Sequence, residues 1–316
     1  MHITDRVVLA IDIGGSKVMT GIVSSDGKVL KKERELLPFP ITKEVILDTI
    51  LRLCCRTLEG YDRKKVCCAA IAIPGLADSE TGIWVYSSFS GIKNFPIAKE
   101  LSKKLELPIF IDNDVKACAL GEMWFHSASD LLKDFLWVTV SNGVGGCAVV
   151  NGEILAGTSN SAGEIGHVCV EENGYLCQCG NHGCLEAHAA GPAILKRYRE
   201  RKGNTEGFEA GFGAKEIAER AARGEVEARE IFEETGYYLG KAIAVAVNIL
   251  NPQKVYLGGG IAKSMDLFYP QLEKTFNSMV FKKANPNVCI EKTALGYDAA
   301  LLGAAAIGFR KIKNNR

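Results

Sequence analysis

Val7-Val8-Leu9-Ala10-Ile11-Asp12-Ile13-Gly14-Gly15-Ser16-Lys17 is the stretch on which the reading of this chain turns. A β-rich apolar run ends in a glycine pair, Val18 to Val23 follow, Asp26-Gly27 supplies a turn, and Val29 opens another run. The pattern predicts strand, turn, strand, hairpin turn, strand. A dinucleotide-binding fingerprint needs G-x-G-x-x-G with a helix directly after it, whereas here a strand follows, so that reading fails locally.

About 130 residues later the pattern returns. Phe135 to Val140 is a strand, Ser141-Asn142-Gly143-Val144-Gly145-Gly146 a glycine turn, Cys147 to Val150 a strand, and Asn151-Gly152 a hairpin turn before Glu153-Ile154-Leu155. A weaker echo links Pro108 to Asp114, leading into an Ala-rich helix through Trp124, with Val288 to Lys292, leading into Asp298 to Phe309. Helical patterns over Val45 to Leu58 and Ala228 to Leu250 precede each half's later strands, the second of which ends in Gly258-Gly259-Gly260. Such repetition predicts duplicated α/β domains facing each other across a cleft. A plain tight hairpin accounts for any one glycine turn. Two matched turns and a third favour a nucleotide cleft in which backbone N–H groups meet phosphate oxygens.

Composition narrows the function. With 316 residues the chain suits two domains. Lys and Arg total 38 against 37 for Asp and Glu, a net charge of +1 that offers no electrostatic footprint for nucleic acid or an anionic membrane. No apolar run is long enough to span a bilayer, and the start has no secretory layout, so a cytoplasmic protein is expected. Eleven cysteines without an export signal suit a reducing compartment. Cys54, Cys55, Cys67, Cys68, Cys118, Cys147 and Cys169 lie mostly in apolar runs and read as small core hydrophobes.

Cys177-Gln178-Cys179-Gly180-Asn181-His182-Gly183-Cys184 is different, packing three thiols into eight residues with His167 upstream. Three thiolates and one imidazole make a closed tetrahedral set that favours structural zinc and leaves no position for a reactive water. An accidental cluster, or His182 in place of His167, are the alternatives. Glu164 and Glu186 flank the segment. A pinned loop could hold both carboxylates against hydroxyl groups, while Glu186 could equally open a helix from Glu186 to Arg199, favoured there by the helix dipole. Asp112-Asn113-Asp114 ends a strand and starts a helix, a place where open α/β sheets collect ligands and where Asn and Asp also cap helices. Alternation sends Asp112 and Asp114 to one face, and the residues alone do not choose between them.

Asp12-Ile13-Gly14-Gly15-Ser16-Lys17, Ile73-Pro74-Gly75, Asn113-Asp114, Gly143-Val144-Gly145-Gly146, Ala162-Gly163-Glu164-Ile165-Gly166-His167, the Cys177 to Glu186 segment and Leu257-Gly258-Gly259-Gly260 together resemble the ROK family of sugar kinases and sugar-responsive repressors, in the family's order and over nearly the whole chain. The resemblance implies an α/β fold of duplicated actin-like, hexokinase-like (ribonuclease H-like) domains with an interdomain cleft. We expect an N-terminal domain over 1–117, joined by a C-terminal helix at 296–316, and a second domain over 118–295 carrying the Cys/His segment.

The resemblance also implies roles. Asp114 matches the catalytic base, while Gly75, Asn113, Glu164, His167 and Glu186 match positions holding the sugar's hydroxyls. His167, Cys177, Cys179 and Cys184 match zinc ligands. Asp12 helps organise Mg²⁺; Gly14, Gly15, Ser16 and Lys17, with Asn142, Gly143 and Gly145, cradle the phosphates of ATP; and Gly258, Gly259 and Gly260 lie near the adenosine. An ATP-dependent hexose kinase acting on glucose is implied, assembled as a homodimer or homotetramer, with N-acetylhexosamines, mannose and fructose as other sugars and a non-catalytic sugar sensor as the reading from another class. A repressor of the family would carry a DNA-binding domain before the stretch at Asp12, and the reading here expects none. The chain departs from the family pattern at Asn142, at Val115-Lys116 and at Ser88-Phe89-Ser90-Gly91-Ile92, the last expected near the sugar.

Overall fold

The computed structural model describes residues 6–87, 89–125, 132–203, 208 and 211–314; Ser88 lies outside them. The chain forms two compact units, the first of residues 1–131 and 294–316, the second of residues 132–293.

In the first unit, β1 (Val7–Ile13), β2 (Lys17–Ser24) and β3 (Val29–Leu36) lead through α1 (Lys43–Leu58) to β4 (Val66–Ile73). A small sheet of β5 (Leu76–Asp78), β6 (Ile83–Tyr86) and β7 (Lys93–Phe95) precedes α2 (Ile97–Leu105), β8 (Ile109–Asn113) and α3 (Asp114–Phe125). The main sheet runs β3-β2-β1-β4-β8, antiparallel across β3, β2 and β1, then parallel across β1, β4 and β8. β1 is apolar along most of its length because it is central and covered on both faces. β3 carries Lys31, Lys32, Glu33, Arg34 and Glu35 because it is an edge, where charge discourages further pairing. Leu9, Ile11 and Ile13 face a core with Ile46, Ile50 and Leu53 of α1. Thr42 starts that helix by accepting the Val45 N–H at 3.3 Å.

The second unit repeats the plan with β9 (Phe135–Val140), β10 (Val144–Val150) and β11 (Glu153–Ile154). After the Cys/His segment come α4 (Leu185–Ala189), α5 (Gly191–Arg201), α6 (Ala214–Ala222) and α7 (Val226–Leu250), then β12 (Lys254–Gly258), α8 (Met265–Met279) and β13 (Cys289–Lys292). Its sheet runs β11-β10-β9-β12-β13 with the same succession of antiparallel and parallel pairs. The chain then returns to the first unit as α9 (Ala299–Asn314). Small residues make its seat. Gly308 lies over Val8 and Cys68, and Gly303 meets α3 so closely that a Cβ would sit 2.2 Å from the Ala117 carbonyl oxygen. Two copies of one ribonuclease H-like unit constitute the actin-like, hexokinase-like fold.

Three local expectations need correction. The helix expected from Glu186 to Arg199 is two helices broken at Ala190, which is extended (φ −69°, ψ 160°). Pro192 has no N–H to offer the His188 carbonyl, so a continuous helix would leave that oxygen bare; Arg197 Nη2 donates to it instead, at 2.8 Å. The alternation expected to put Asp112 and Asp114 on one face stops at Asn113, because Asp114 is already the first residue of α3. Of the cysteines read as core hydrophobes, Cys54, Cys68, Cys118 and Cys147 are buried, Cys67 is half-buried, and Cys55 and Cys169 are exposed.

Candidate active site

Each unit gathers part of the expected set at the ends of its strands. In the first, the Gly14 N–H donates to the Lys17 carbonyl at 2.8 Å, so Gly15 and Ser16 form a two-residue loop between β1 and β2. Asp12 stands just before this turn. Loss of hydration pushes its carboxyl up to about 6, Lys17 pulls it down, and Asp298 pushes it up further. Asp298 was not foreseen beside Asp12, from which it is separated by most of the chain. It pairs with Lys32 at 2.7 Å, and Lys17 meets the hydroxyl of Tyr297 next to it.

Two strands away, Asn113 organises the start of α3. Its Oδ1 accepts the Val115 and Lys116 N–H groups at 3.0 and 3.1 Å, which is the work of an N-cap. Its Nδ2 donates to the Gly75 carbonyl at 3.0 Å and to Asp114 Oδ1 at 3.1 Å. Asp114 Oδ1 also accepts the Val115 N–H at 3.0 Å. Asp114 is thus oriented by its neighbours at the end of β8, with Asn113 doing most of the capping. Asp112 instead shares a register line with Ala72 and Asp12 across the sheet. Its carboxyl is pushed up by burial and accepts the Asn113 N–H at 2.8 Å.

Gly75 is glycine by necessity: φ is +93°, and a Cβ would lie 2.3 Å from the Tyr86 carbonyl oxygen. It passes beside Ser87, whose hydroxyl, like that of Ser90, is buried without a hydrogen-bond partner. Sequence reasoning named the stretch that holds Ser90 but assigned its hydroxyl no role, and it did not single out Ser87. Ile92, expected near the sugar, is 2% exposed and belongs to the first unit's core, because the chain turns inward after Gly91.

In the second unit the two remaining glycine turns adjoin each other. Ser141, Asn142 and Gly143 connect β9 to β10, with the Ser141 N–H on the Gly143 carbonyl at 2.8 Å, and Gly145 follows in the ladder opposite Thr139. Gly258 lies over the ring of buried Trp137, Gly259 is pressed on the Val140 carbonyl, and Gly260 borders the Ser141 hydroxyl. Glu186 lies in the first turn of α4, and its Oε2 accepts the Val144 N–H at 3.0 Å. Glu164 precedes a short 3₁₀ turn that ends at His167.

His167, Cys177, Cys179 and Cys184 present ligand atoms all within 4.8 Å of one another. His167 Nδ1 is 3.7 Å from Cys177 Sγ, and Cys179 Sγ is 3.6 Å from Cys184 Sγ. Tetrahedral zinc–thiolate bonds of ~2.3 Å imply sulfur separations of roughly 3.8 Å, so these four could hold such an ion. His182 is not in the group; its Nδ1 pairs with the Gly174 carbonyl at 3.0 Å. Isolated antiparallel backbone pairings of Cys169 with Cys184 and of Leu176 with His182 frame the loop, and both cysteines are free thiols. A backbone N–H from Asn181 lowers the Cys179 thiol, whereas burial pushes Cys184 up to about 12.

A two-unit α/β protein with glycine turns and carboxylates at its strand ends is the class that this geometry defines. The chain matches the ROK family over residues 8–311, and it belongs to that family. It is 31% identical to a glucokinase of Halalkalibacterium halodurans over 317 residues, covering 95% of this chain and 94% of the relative. The transcriptional regulator NagC of Escherichia coli is 29% identical over 97% of this chain and 76% of its own length. Among solved structures, a ROK glucokinase from Streptomyces griseus in complex with glucose and AMPPNP superposes with a TM-score of 0.84 at 27% identity, covering 95% of this chain and 98% of that one.

Proposed function

We propose that the protein is an ATP-dependent hexose kinase that transfers the γ-phosphoryl group to a sugar hydroxyl, with glucose phosphorylated at its 6-hydroxyl. The observation that carries this reading is the placement of Asp114: a carboxylate at a strand end, oriented by Asn113, while Asn113 takes most of the capping duty. A general base need only reach the hydroxyl it deprotonates. Asp114 accepts that proton as the phosphoryl group arrives, and Gly75 and Asn113 hold neighbouring hydroxyls. The buried, unpartnered Ser87 and Ser90 hydroxyls suit a ligand rich in hydroxyl groups. Glu164, His167 and Glu186 are the other residues we assign to sugar hydroxyls.

Phosphoryl transfer asks mainly for positioning and charge neutralisation. The loop at Gly14, Gly15, Ser16 and Lys17 and the turn at Asn142, Gly143 and Gly145 present backbone N–H groups to phosphate oxygens, and Gly258 to Gly260 borders the adenosine. Asp12 fits a Mg²⁺ site because its carboxyl resists ionisation in the folded chain, a cost that a nearby cation relieves. Bound there, Mg²⁺ would neutralise charge on the phosphates. His167, Cys177, Cys179 and Cys184 would hold a structural Zn²⁺ that stiffens the loop bearing Glu164 and Glu186.

No helix among the described residues is long and apolar enough to cross a membrane, and a cytoplasmic homodimer or homotetramer is the setting we infer. The second reading, a sugar-sensing regulator without turnover, draws on the similarity to NagC. ADP release over a panel of glucose, mannose, fructose and N-acetylated hexosamines separates the two. A sugar-dependent rate supports the kinase. Sugar binding without turnover for any member of the panel overturns it in favour of the sensor.

A further inference from the structure

The turn from Ser141 to Val144 is gripped by both arms of the Cys/His segment. One arm, residues 163–167, ends at His167. Its Gly166 lies so close to Val144 that a Cβ would be 2.0 Å from the Val144 carbonyl oxygen, and its Gly163 would meet the Gly146 carbonyl oxygen at 2.4 Å. The other arm starts at Cys184. Two residues on, Glu186 Oε2 accepts the Val144 N–H at 3.0 Å, and a Cβ on Gly143 would lie 2.6 Å from that same oxygen. Farther along, the Gly191 N–H donates to the Ser141 carbonyl at 2.8 Å. His167 and Cys184, at the ends of the two arms, are members of one four-residue cluster. An ion in that cluster would tie the arms together around the turn.

We infer that Glu186 is a positioning residue for the nucleotide: it sets the backbone of the Ser141 to Val144 turn that receives phosphate, and the Cys/His cluster keeps this grip closed. The inference rests on the kinase reading for the identity of the ligand. It gives Glu186 a task separate from holding sugar. A carboxylate has two oxygens and about four acceptor sites, so one oxygen can hold the turn while the other meets a hydroxyl. The two binding steps then share a side chain, and nucleotide affinity depends on Glu186 even when no sugar is present.

The probe is Mg²⁺ with AMPPNP, titrated calorimetrically without sugar into zinc-replete protein, with hydrogen exchange of the amides over 135–150 measured in parallel. Glu186→Gln keeps a carbonyl oxygen for the Val144 N–H, so it should leave nucleotide Kd within about twofold and the exchange unchanged while raising sugar KM. Glu186→Ala removes the acceptor and should raise nucleotide Kd about tenfold and speed exchange at Val144. Gly143→Ala, which pushes the carboxylate aside, should act in the same direction and replaces Glu186→Ala if that variant does not fold. Chelating the metal from the wild-type protein should reproduce the faster exchange.

Wild-type nucleotide Kd and unchanged exchange in a folded, zinc-replete Glu186→Ala or Gly143→Ala variant would overturn the inference. Wild-type protein that binds no AMPPNP would instead overturn the kinase reading, and the exchange measurement would still decide whether Glu186 holds the turn.

Discussion

Asp12 has given up much of its hydration at the end of β1, and the fold prefers its protonated form. A folded pKa near 6, above the ordinary 3.8, means that this group adds nothing unfavourable below pH 4. Between pH 4 and about 6 the unfolded chain releases the proton more readily, so stability falls as pH rises and then levels off. Asp12→Asn should therefore stabilise metal-free protein at pH 8 by up to about 3 kcal/mol, with no difference below pH 4. Thermal unfolding across pH checks this, and equal Tm values at pH 8 would contradict it. The same variant should bind Mg²⁺-nucleotide more weakly. At Asp114 the effect is chemical: Asp114→Asn should lower kcat by about 10²–10⁴ and leave sugar affinity nearly unchanged, read from ADP release beside sugar titrations. Retained turnover would assign Asp114 to the helix alone.

Elements here are positioned by close backbone approach. Gly166 abuts the Val144 carbonyl where no side chain fits, so Gly166→Ala should cost about 1–3 kcal/mol of stability and disturb the start of β10. Denaturant unfolding would show it, and a neutral result would mean that the 163–167 segment can shift. The sequence made the repeated strand–turn–strand pattern plain, because alternation, β-branched runs and Asn-Gly or Asp-Gly turns are local signals. It also placed Asn113 and Asp114 where a strand gives way to a helix, and it marked out the Cys/His group, whose His167, Cys177, Cys179 and Cys184 lie together. What it concealed depends on partners distant in the chain. The break between α4 and α5 depends on Arg197 reaching back to His188, the surroundings of Asp12 include Asp298, and the hold of Glu186 on Val144 spans 42 residues. The inward turn of Ile92 was equally invisible, since a lone isoleucine beside a glycine fits a pocket wall as well as a core. Gly191-Pro192 was the one legible hint of the helix break.

At the scale of the molecule, each unit has its own hydrophobic core, so damage to the Cys/His segment should stay within residues 132–293. If the proposed zinc site is filled, chelation should speed amide exchange over 163–186, leave β1 and β4 protected, and weaken sugar binding through the roles proposed for Glu164 and Glu186. Unchanged sugar affinity in metal-free, folded protein would count against that link. The first unit borrows α9 from beyond the second. A ribosome making 5–20 residues per second needs roughly ten to thirty seconds to go from residue 131 to residue 294. Through that interval the second unit is still being made, while the nascent first unit waits with Val8 and Cys68, which Gly308 of α9 covers, still bare. The half of the molecule synthesised first is therefore the last to be completed, and its unfinished sheet is the surface that a chaperone would have to guard.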